Sequence, residues 1–368
     1  MDTTLSFKMK LFLGLVVLLF ILLIFVVMEL IFRHYFPQLK YQQHLPYDVK
    51  KNIGYTGGYP YSYNKWKMRE IDFDADNLHN QFRILCLGDS ITFGYGLPYD
   101  RVWPKMLQTK LSSKYKNQSI FCINAGGISE STHDQVAFYH DTGWKFGSKI
   151  VIVGFCLNDI EPKDYERERL VSEGYKLTLW MESRFALRIS YCFTALDLML
   201  TDCYRKYIWP FFTGKNAFYI KEYELNCFGI TPNSTNAWHD TLEALNNLKI
   251  LCSEHNAIPI VAAFPYQFQI SNDPRDNAYN INKKELKIDP FEKLALFCKE
   301  HNIMFINLKN KFVEKRIAML RREMKWDNLF IDYVHPNESG QELAASAIAK
   351  CCENIIKEHN FVQDIVKR

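Results

Sequence analysis

Ser90 stands just past an apolar run, Ile84 to Leu87, that stops at a Gly88-Asp89-Ser90 turn. Gly88, Gly94 and Gly96 supply the backbone freedom for a sharp strand-to-helix turn that lifts one hydroxyl out of the fold. A serine hydroxyl is a poor nucleophile at neutral pH, so chemistry at Ser90 requires a base, a group that orients the base, and donors for an oxyanion. The stretch Asp332-Tyr333-Val334-His335-Pro336 offers the first two. With the carboxylate three residues before the imidazole, one short turn holds both, fixing the tautomer and leaving the second ring nitrogen for the Ser90 proton. A third segment, Val151 to Asp159, reads as a buried strand ending in Asn158, whose amide can donate to an oxyanion.

Together these blocks resemble the SGNH hydrolases, also called GDSL-type lipases and acylhydrolases. Gly88-Asp89-Ser90-Ile91-Thr92 matches the first block, Asn158-Asp159 the third, and Asp332 to Pro336 the last. The resemblance implies Ser90 as nucleophile, His335 as base and Asp332 as its partner, with the Ser90 backbone N–H and Asn158 as oxyanion donors. The family's second block often reads Asn-Ala-Gly-x-x-Gly, whereas this chain has Asn124-Ala125-Gly126-Gly127-Ile128-Ser129. Ser129 replaces the final glycine and keeps the donor only if its backbone adopts the required angles. Alternatively, Gly127 fills the role through a shift of one or two residues. The third block departs as well, with Cys156 where a glycine is expected and Gly154 two positions upstream.

Each block alone has a plainer reading. Gly-Asp-Ser occurs in many turns, Asp332 is a good turn former, and Asn158-Asp159 can simply cap a helix. Their joint occurrence, in the family's order and at or near the ends of buried strands, favours catalysis. Asp89 and Asp159 are expected to hold loops rather than to react. His133, His140, His239 and His255 lack paired metal-ligand spacing, and no phosphate-binding or dinucleotide glycine pattern is present, so neither metal nor cofactor is expected. The implied chemistry is ester hydrolysis through an acyl-enzyme on a lipid or an acylated carbohydrate. The alternatives are O-acyl transfer to a cell-envelope polysaccharide or lipid, and an inactive binding or scaffold protein. The Ser90–His335 distance separates the last from the others.

The positioning elements follow from alternating apolar runs and helical patterns. Strands are predicted at 83–88, 119–124, 150–156, 258–264 and 303–307, and helices at 101–116, 132–145, 237–255, 290–301 and 337–357. Such alternation predicts an α/β fold, a three-layer sandwich around a mainly parallel sheet, and the resemblance implies its flavodoxin-like SGNH form. The proposed blocks then fall at the C-terminal ends of strands, where open α/β sheets place ligands. The hydrolase-like domain is expected over 81–360, with 41–80 as a linker or packed extension. Residues 161–236 break the alternation as an insertion rich in large apolar groups, among them Trp180, Tyr191, Phe193, Met199 and Trp209. Three readings stand for it: a small helical subdomain, a lid, or an amphipathic surface dipping into a membrane.

With 368 residues, 48% hydrophobic and 23% charged, the chain can bury a large core. Its net charge of +4, without a dense basic block, makes nucleic acid a poor partner. Residues 1–40 differ: Leu11 to Met28 is an uncharged apolar run of 18 residues, long enough with its flanks to cross a bilayer. Glu29, Arg33 and His34 follow it where a cleavable signal would carry small residues, so an uncleaved single-pass anchor is expected. Lys8 and Lys10 before the run nearly balance Arg33 and Lys40 after it. The short leading tail favours a cytoplasmic N-terminus and a periplasmic catalytic domain. Cys192, Cys203 and Cys227 are candidates for disulfides there, whereas Cys86, Cys122 and Cys156 read as buried thiols. Asn337-Glu338-Ser339 fits a glycosylation pattern, but a glycan two residues from His335 would obstruct the site, which favours a bacterial source.

Overall fold

The computed structural model describes residues 7–35, 50–57, 59–75, 81–161, 190–203, 222–273, 282–322 and 328–358. Two compact units divide the chain: Met1–Pro46 with Val171–Ala217, and Tyr47–Leu170 with Phe218–Arg368.

The larger unit is built on five parallel strands, β3 (Gln81–Gly88), β4 (Ser119–Gly126), β5 (Ile150–Phe155), β6 (Ile258–Ala263) and β7 (Met304–Asn307). Their spatial order is β4-β3-β5-β6-β7, so the chain reverses direction across the sheet between β3 and β5. In doubly wound sheets that switch point opens a crevice beyond the strand ends. Continuous apolar sequences explain why these strands form a buried sheet rather than a half-exposed one: every residue of β5 is buried, as are the last five of β3. Crossover connections supply helices to both faces. On one side α3 (Trp103–Lys114) packs on the C-terminal helix α9 (Glu338–Glu358), which in turn packs on α8 (Leu308–Arg321). Elsewhere α4 (Thr132–Asp141) packs on α6 (Ser234–Glu254), while α7 (Pro290–Glu300) packs on β7. The fold is the three-layer α/β sandwich expected from the sequence.

Ahead of the sheet, a small antiparallel pair, β1 (Gly54–Thr56) and β2 (Tyr59–Tyr61), precedes a segment whose Met68, Arg69, Glu70 and Phe73 are buried. This part of the 41–80 stretch is thus packed structure. The smaller unit contains α1 (Phe7–Tyr35) and α5 (Tyr191–Cys203), the latter inside the insertion. Trp180 and Trp209, with most other aromatics of the insertion, lie outside the described residues. Within α1, Met9–Tyr35 contains an 18-residue window of mean hydropathy 3.5 and is long and apolar enough to cross a membrane. The disulfides considered for Cys192 and Cys227 are absent, because both carry free thiols and Cys227 is buried; the Cys203 side chain is outside the described set.

Candidate active site

Ser90 opens a one-turn helix, α2 (Ser90–Phe93), directly after β3. Asp89 caps it, its Oδ1 accepting from the Ile91 N–H at 2.8 Å. The turn requires glycine at 88: φ there is +151°, and a Cβ would collide with the Thr92 side chain. Across the sheet Gly88 pairs with Gly126 of β4 and Gly154 of β5, so three glycines lie abreast. Thr92 sits on this row, and a Cβ at any of the three would strike it. Gly154, displaced from the family's usual glycine position, therefore makes room beneath the nucleophile turn.

Asp332 and His335 lie in the loop before α9. Asp332 Oδ1 accepts from the backbone N–H groups of Val334 and His335, both at 2.8 Å, and its Oδ2 lies 2.7 Å from His335 Nδ1. One carboxylate therefore fixes the loop and the ring together. Burial pushes the Asp332 carboxyl up, but the His335 charge and these hydrogen bonds outweigh it, and the net shift is downward. On the other face of the imidazole, His335 Nε2 lies 2.8 Å from Ser90 Oγ. That distance is within hydrogen-bond reach, as a base for the serine proton requires. Asp89 Oδ2 is 3.4 Å from the same hydroxyl, a much weaker contact. Asp89 is buried, which raises its pKa despite the opposing Ile91 N–H, the His335 charge and hydrogen bonds from Asn158 and Ser90.

The oxyanion candidates lie in three loops. Asn158 occupies a single 3-10 turn, Leu157–Asp159, at the end of β5. Its side chain faces the Asp89 carboxyl and favours that group's charged form. The neighbouring Asp159 accepts from the Cys156 N–H and from Gln135 of α4, holding that turn in place. In the second block, the Gly127 N–H donates to the Gly88 carbonyl at 3.0 Å and is thereby committed to joining the two loops. Ser129 instead adopts a left-handed backbone, φ +64°, and is solvent exposed. That is the conformation glycine would supply at this position.

A model of the GDSL-like lipase/acylhydrolase family matches residues 86–343. The chain belongs to this family. It is accordingly a serine-type enzyme acting on ester bonds. No curated protein matches it. Among solved structures it is similar to Axe2, an acetylxylan esterase from Geobacillus stearothermophilus, at 14% identity over 74% of this chain and 95% of that one, with a TM-score of 0.41. It is also similar to LAE5, an alpha/beta hydrolase enzyme from the metagenome of Lake Arreo, Spain, at 14% identity over 75% of this chain and 99% of that one, with a TM-score of 0.38.

This GDSL-family chain holds its nucleophile turn with residues that lie outside the matching blocks. Arg69, buried in the N-terminal extension, donates from Nη1 to the carbonyls of Phe93 and Gly94 and from Nη2 to that of Leu97. Burial lowers its pKa to about 10, which leaves it charged at neutral pH. Gln341 of α9 donates to the Ile91 carbonyl and accepts from the Trp103 N–H, tying the helix behind His335 to the turn carrying Ser90. Glu70 pairs with Lys105 and accepts from the Asn124 N–H at the second block. Tyr95 stacks on the His335 ring at a centroid distance of 4.4 Å. Sequence pattern misses all of these, because a polar residue in an aperiodic segment carries no mark of its burial. The adjacent pair Arg69-Glu70, flanked by Met68 and Ile71, was the available hint.

Proposed function

We propose that the protein hydrolyses an acyl ester through a covalent intermediate on Ser90. The supporting observation is the unbroken path from Ser90 Oγ to His335 Nε2 at 2.8 Å and from His335 Nδ1 to Asp332 at 2.7 Å. His335 takes the hydroxyl proton as Ser90 Oγ attacks the ester carbonyl, and Asp332 stabilises the imidazolium that forms. The tetrahedral oxyanion is held by the backbone N–H groups of Ser90 and Ser129 and by the Asn158 amide, which has two hydrogens to donate. Gly127 is left out of this set because its N–H serves Gly88. Collapse of the intermediate breaks the C–O bond, and His335 returns the proton to the departing alcohol. Water, deprotonated by His335, then attacks the acyl-enzyme to release the acid and free Ser90.

The substrate class is an acyl ester of a lipid or an acylated carbohydrate. The proposed organisation is an anchor over 1–40, a packed extension over 41–80, and a catalytic domain over 81–360, held at a bacterial membrane with its active site on the periplasmic side. The hydropathy of α1 supports the anchor. Labelling of the detergent-solubilised full chain with a fluorophosphonate probe tests the mechanism. Wild type is expected to label, and Ser90→Ala and His335→Ala to lose labelling while keeping their thermal transitions. Unlabelled but folded wild type would defeat the reading. Following the acyl group from a chromogenic ester, with and without added polysaccharide, distinguishes hydrolysis from transfer.

A further inference from the structure

The smaller unit carries an arrangement that ester chemistry does not use. Glu29, near the C-terminal end of α1, accepts at Oε1 from the Tyr191 N–H at 3.0 Å. Its Oε2 accepts from the Cys192 N–H at 3.0 Å and from the Ser190 hydroxyl at 2.7 Å. A side chain from one helix thus caps the first turn of another, meeting amide groups that would otherwise lack partners. Arg33 pairs with Glu29 and lies over the Tyr191 ring, and one turn earlier Phe25 packs on Phe193 at 5.3 Å. Along α1 the partly covered residues are Phe25, Glu29 and Phe32, whereas Met9 to Ile24 are exposed throughout. α5 therefore crosses α1 at its polar end and leaves its apolar length bare.

The outer face of α5 is apolar as well. Ala195 is buried, while Phe193, Leu196, Met199 and Leu200 are 37%, 49%, 68% and 58% exposed. These exposed positions cluster on one side of the helix at 100° per residue. The chain continues as Tyr204-Arg205-Lys206-Tyr207, residue types that suit the headgroup level of a membrane. Asp197 and Asp202 within the helix exclude the bilayer midplane as its depth.

We propose that α5 is an interfacial membrane helix, clamped by Glu29 where α1 leaves the bilayer, with Phe193, Leu196, Met199 and Leu200 seated among lipid acyl chains. Continuity identifies lipid as the occupant, since this face adjoins a helix that is itself exposed and apolar along the length that would lie in the membrane. A helix with one strongly apolar exposed side lies in the interface plane. The proposal rests on the anchor reading of α1, and its test separates the two. It also accounts for Glu29, a carboxylate at the end of a span, by giving it two backbone donors from α5 and the Ser190 hydroxyl just before it, in addition to Arg33.

The test uses the full chain in vesicles of phosphatidylcholine and phosphatidylglycerol, with a benzophenone amino acid incorporated singly at Met199, Leu196, Leu19 or Lys311. Irradiation and mass spectrometry then identify what each position touches. Lipid adducts are expected at Met199, Leu196 and Leu19, and at least tenfold fewer at Lys311 on α8. Lipid adducts at Leu19 but not at Met199 or Leu196 would overturn the proposal and leave the anchor standing. Absence at all four positions would remove both. Adducts from Met199 or Leu196 to a second copy of the chain would reassign this face to a protein interface. Glu29→Ala is expected to lower the lipid yield at Met199 severalfold with the Leu19 yield unchanged, and an unchanged yield at Met199 would remove Glu29 as the clamp.

Discussion

Ser129 is the residue at which the chain departs most visibly from its family, and its backbone explains how the departure is tolerated. A non-glycine residue at φ +64° costs roughly 1–2 kcal/mol through its Cβ, yet it presents an N–H just as glycine would. If the proposed donor is that N–H, Ser129→Gly should keep turnover within about twofold and gain about 0.5–1 kcal/mol of stability. A tenfold fall in kcat would instead make the hydroxyl functional. Asp89 makes a second prediction by the same attention to individual atoms. Burial raises its pKa above that of the unfolded chain, so ionising it in the native state weakens the fold as pH rises from about 4 through the folded value. Asn at this position keeps an oxygen for the Ile91 N–H and has no charge to bury. Asp89→Asn should therefore match wild type near pH 4 and exceed it in thermal stability by an amount that grows with pH and levels off. A constant offset across that range, read by thermal melts, would refute the burial account. Asp332 runs in the opposite sense: its lowered pKa stabilises the fold above the unfolded value, and this is lost as pH falls through the folded one.

At the scale of elements, α2 is too short to hold itself, and its geometry is imposed from outside. With a single turn, its C-terminal carbonyls have no following turn to accept from, and the Arg69 fork takes up those of Phe93 and Gly94 together with that of Leu97. Arg69→Ala strands buried acceptors and should cost about 3–5 kcal/mol. Arg69→Lys keeps the charge but cannot span three carbonyls, so its melting temperature should recover partly while kcat stays at least tenfold down. Equal kcat in Arg69→Lys and wild type would show that the fork does not position Ser90. This clamp also marks the limit of what the sequence reveals. The five sheet strands are legible to within about two residues, because unbroken apolar runs bounded by glycine or polar residues have one good reading. The residues of the proposed triad stand out as candidates because each sits where such a run ends, or in a short loop of strong turn formers. By contrast, the expected helix over 132–145 ends at Asp141, because Gly143 stops it and a 3-10 turn follows. Helix α8 was missed because its sequence signal is weak. It starts directly from β7 with Asn307 as its cap, and its buried stripe of Leu308, Phe312, Arg316 and Met319 is interrupted by a charge. Arg69 was illegible for a related reason: its burial is decided by carbonyls 24 to 28 residues away.

At the scale of the whole molecule, three chain crossings, after Pro46, Leu170 and Ala217, join the unit that carries the proposed active site to the one that carries the proposed anchor. The proposed periplasmic placement raises the question of how nine cysteines, all free among the described residues, survive unpaired in an oxidising space. Burial supplies the answer for seven of the eight in the larger unit, Cys351 being only half-buried. Cys86, Cys122, Cys156, Cys227, Cys252, Cys298 and Cys352 are all buried and free. Loss of solvent pushes the thiols of Cys122, Cys252 and Cys298 up to about 12, and Cys86 and Cys352 are likewise raised. The thiolate is the species that oxidises, so these groups are protected both by access and by protonation. Within the sheet, Cys86 of β3 lies opposite Asn124 and Cys122 of β4 opposite Ile84, so these two thiols do not face each other across the strands. The native full chain should therefore leave these seven thiols unreactive toward an aromatic disulfide reagent at pH 7.5, and all ten should titrate in guanidinium. Millimolar dithiothreitol should move neither the thermal midpoint nor the ester turnover. A midpoint that falls by 5 °C or more on reduction would reveal a structural disulfide and end the free-thiol account.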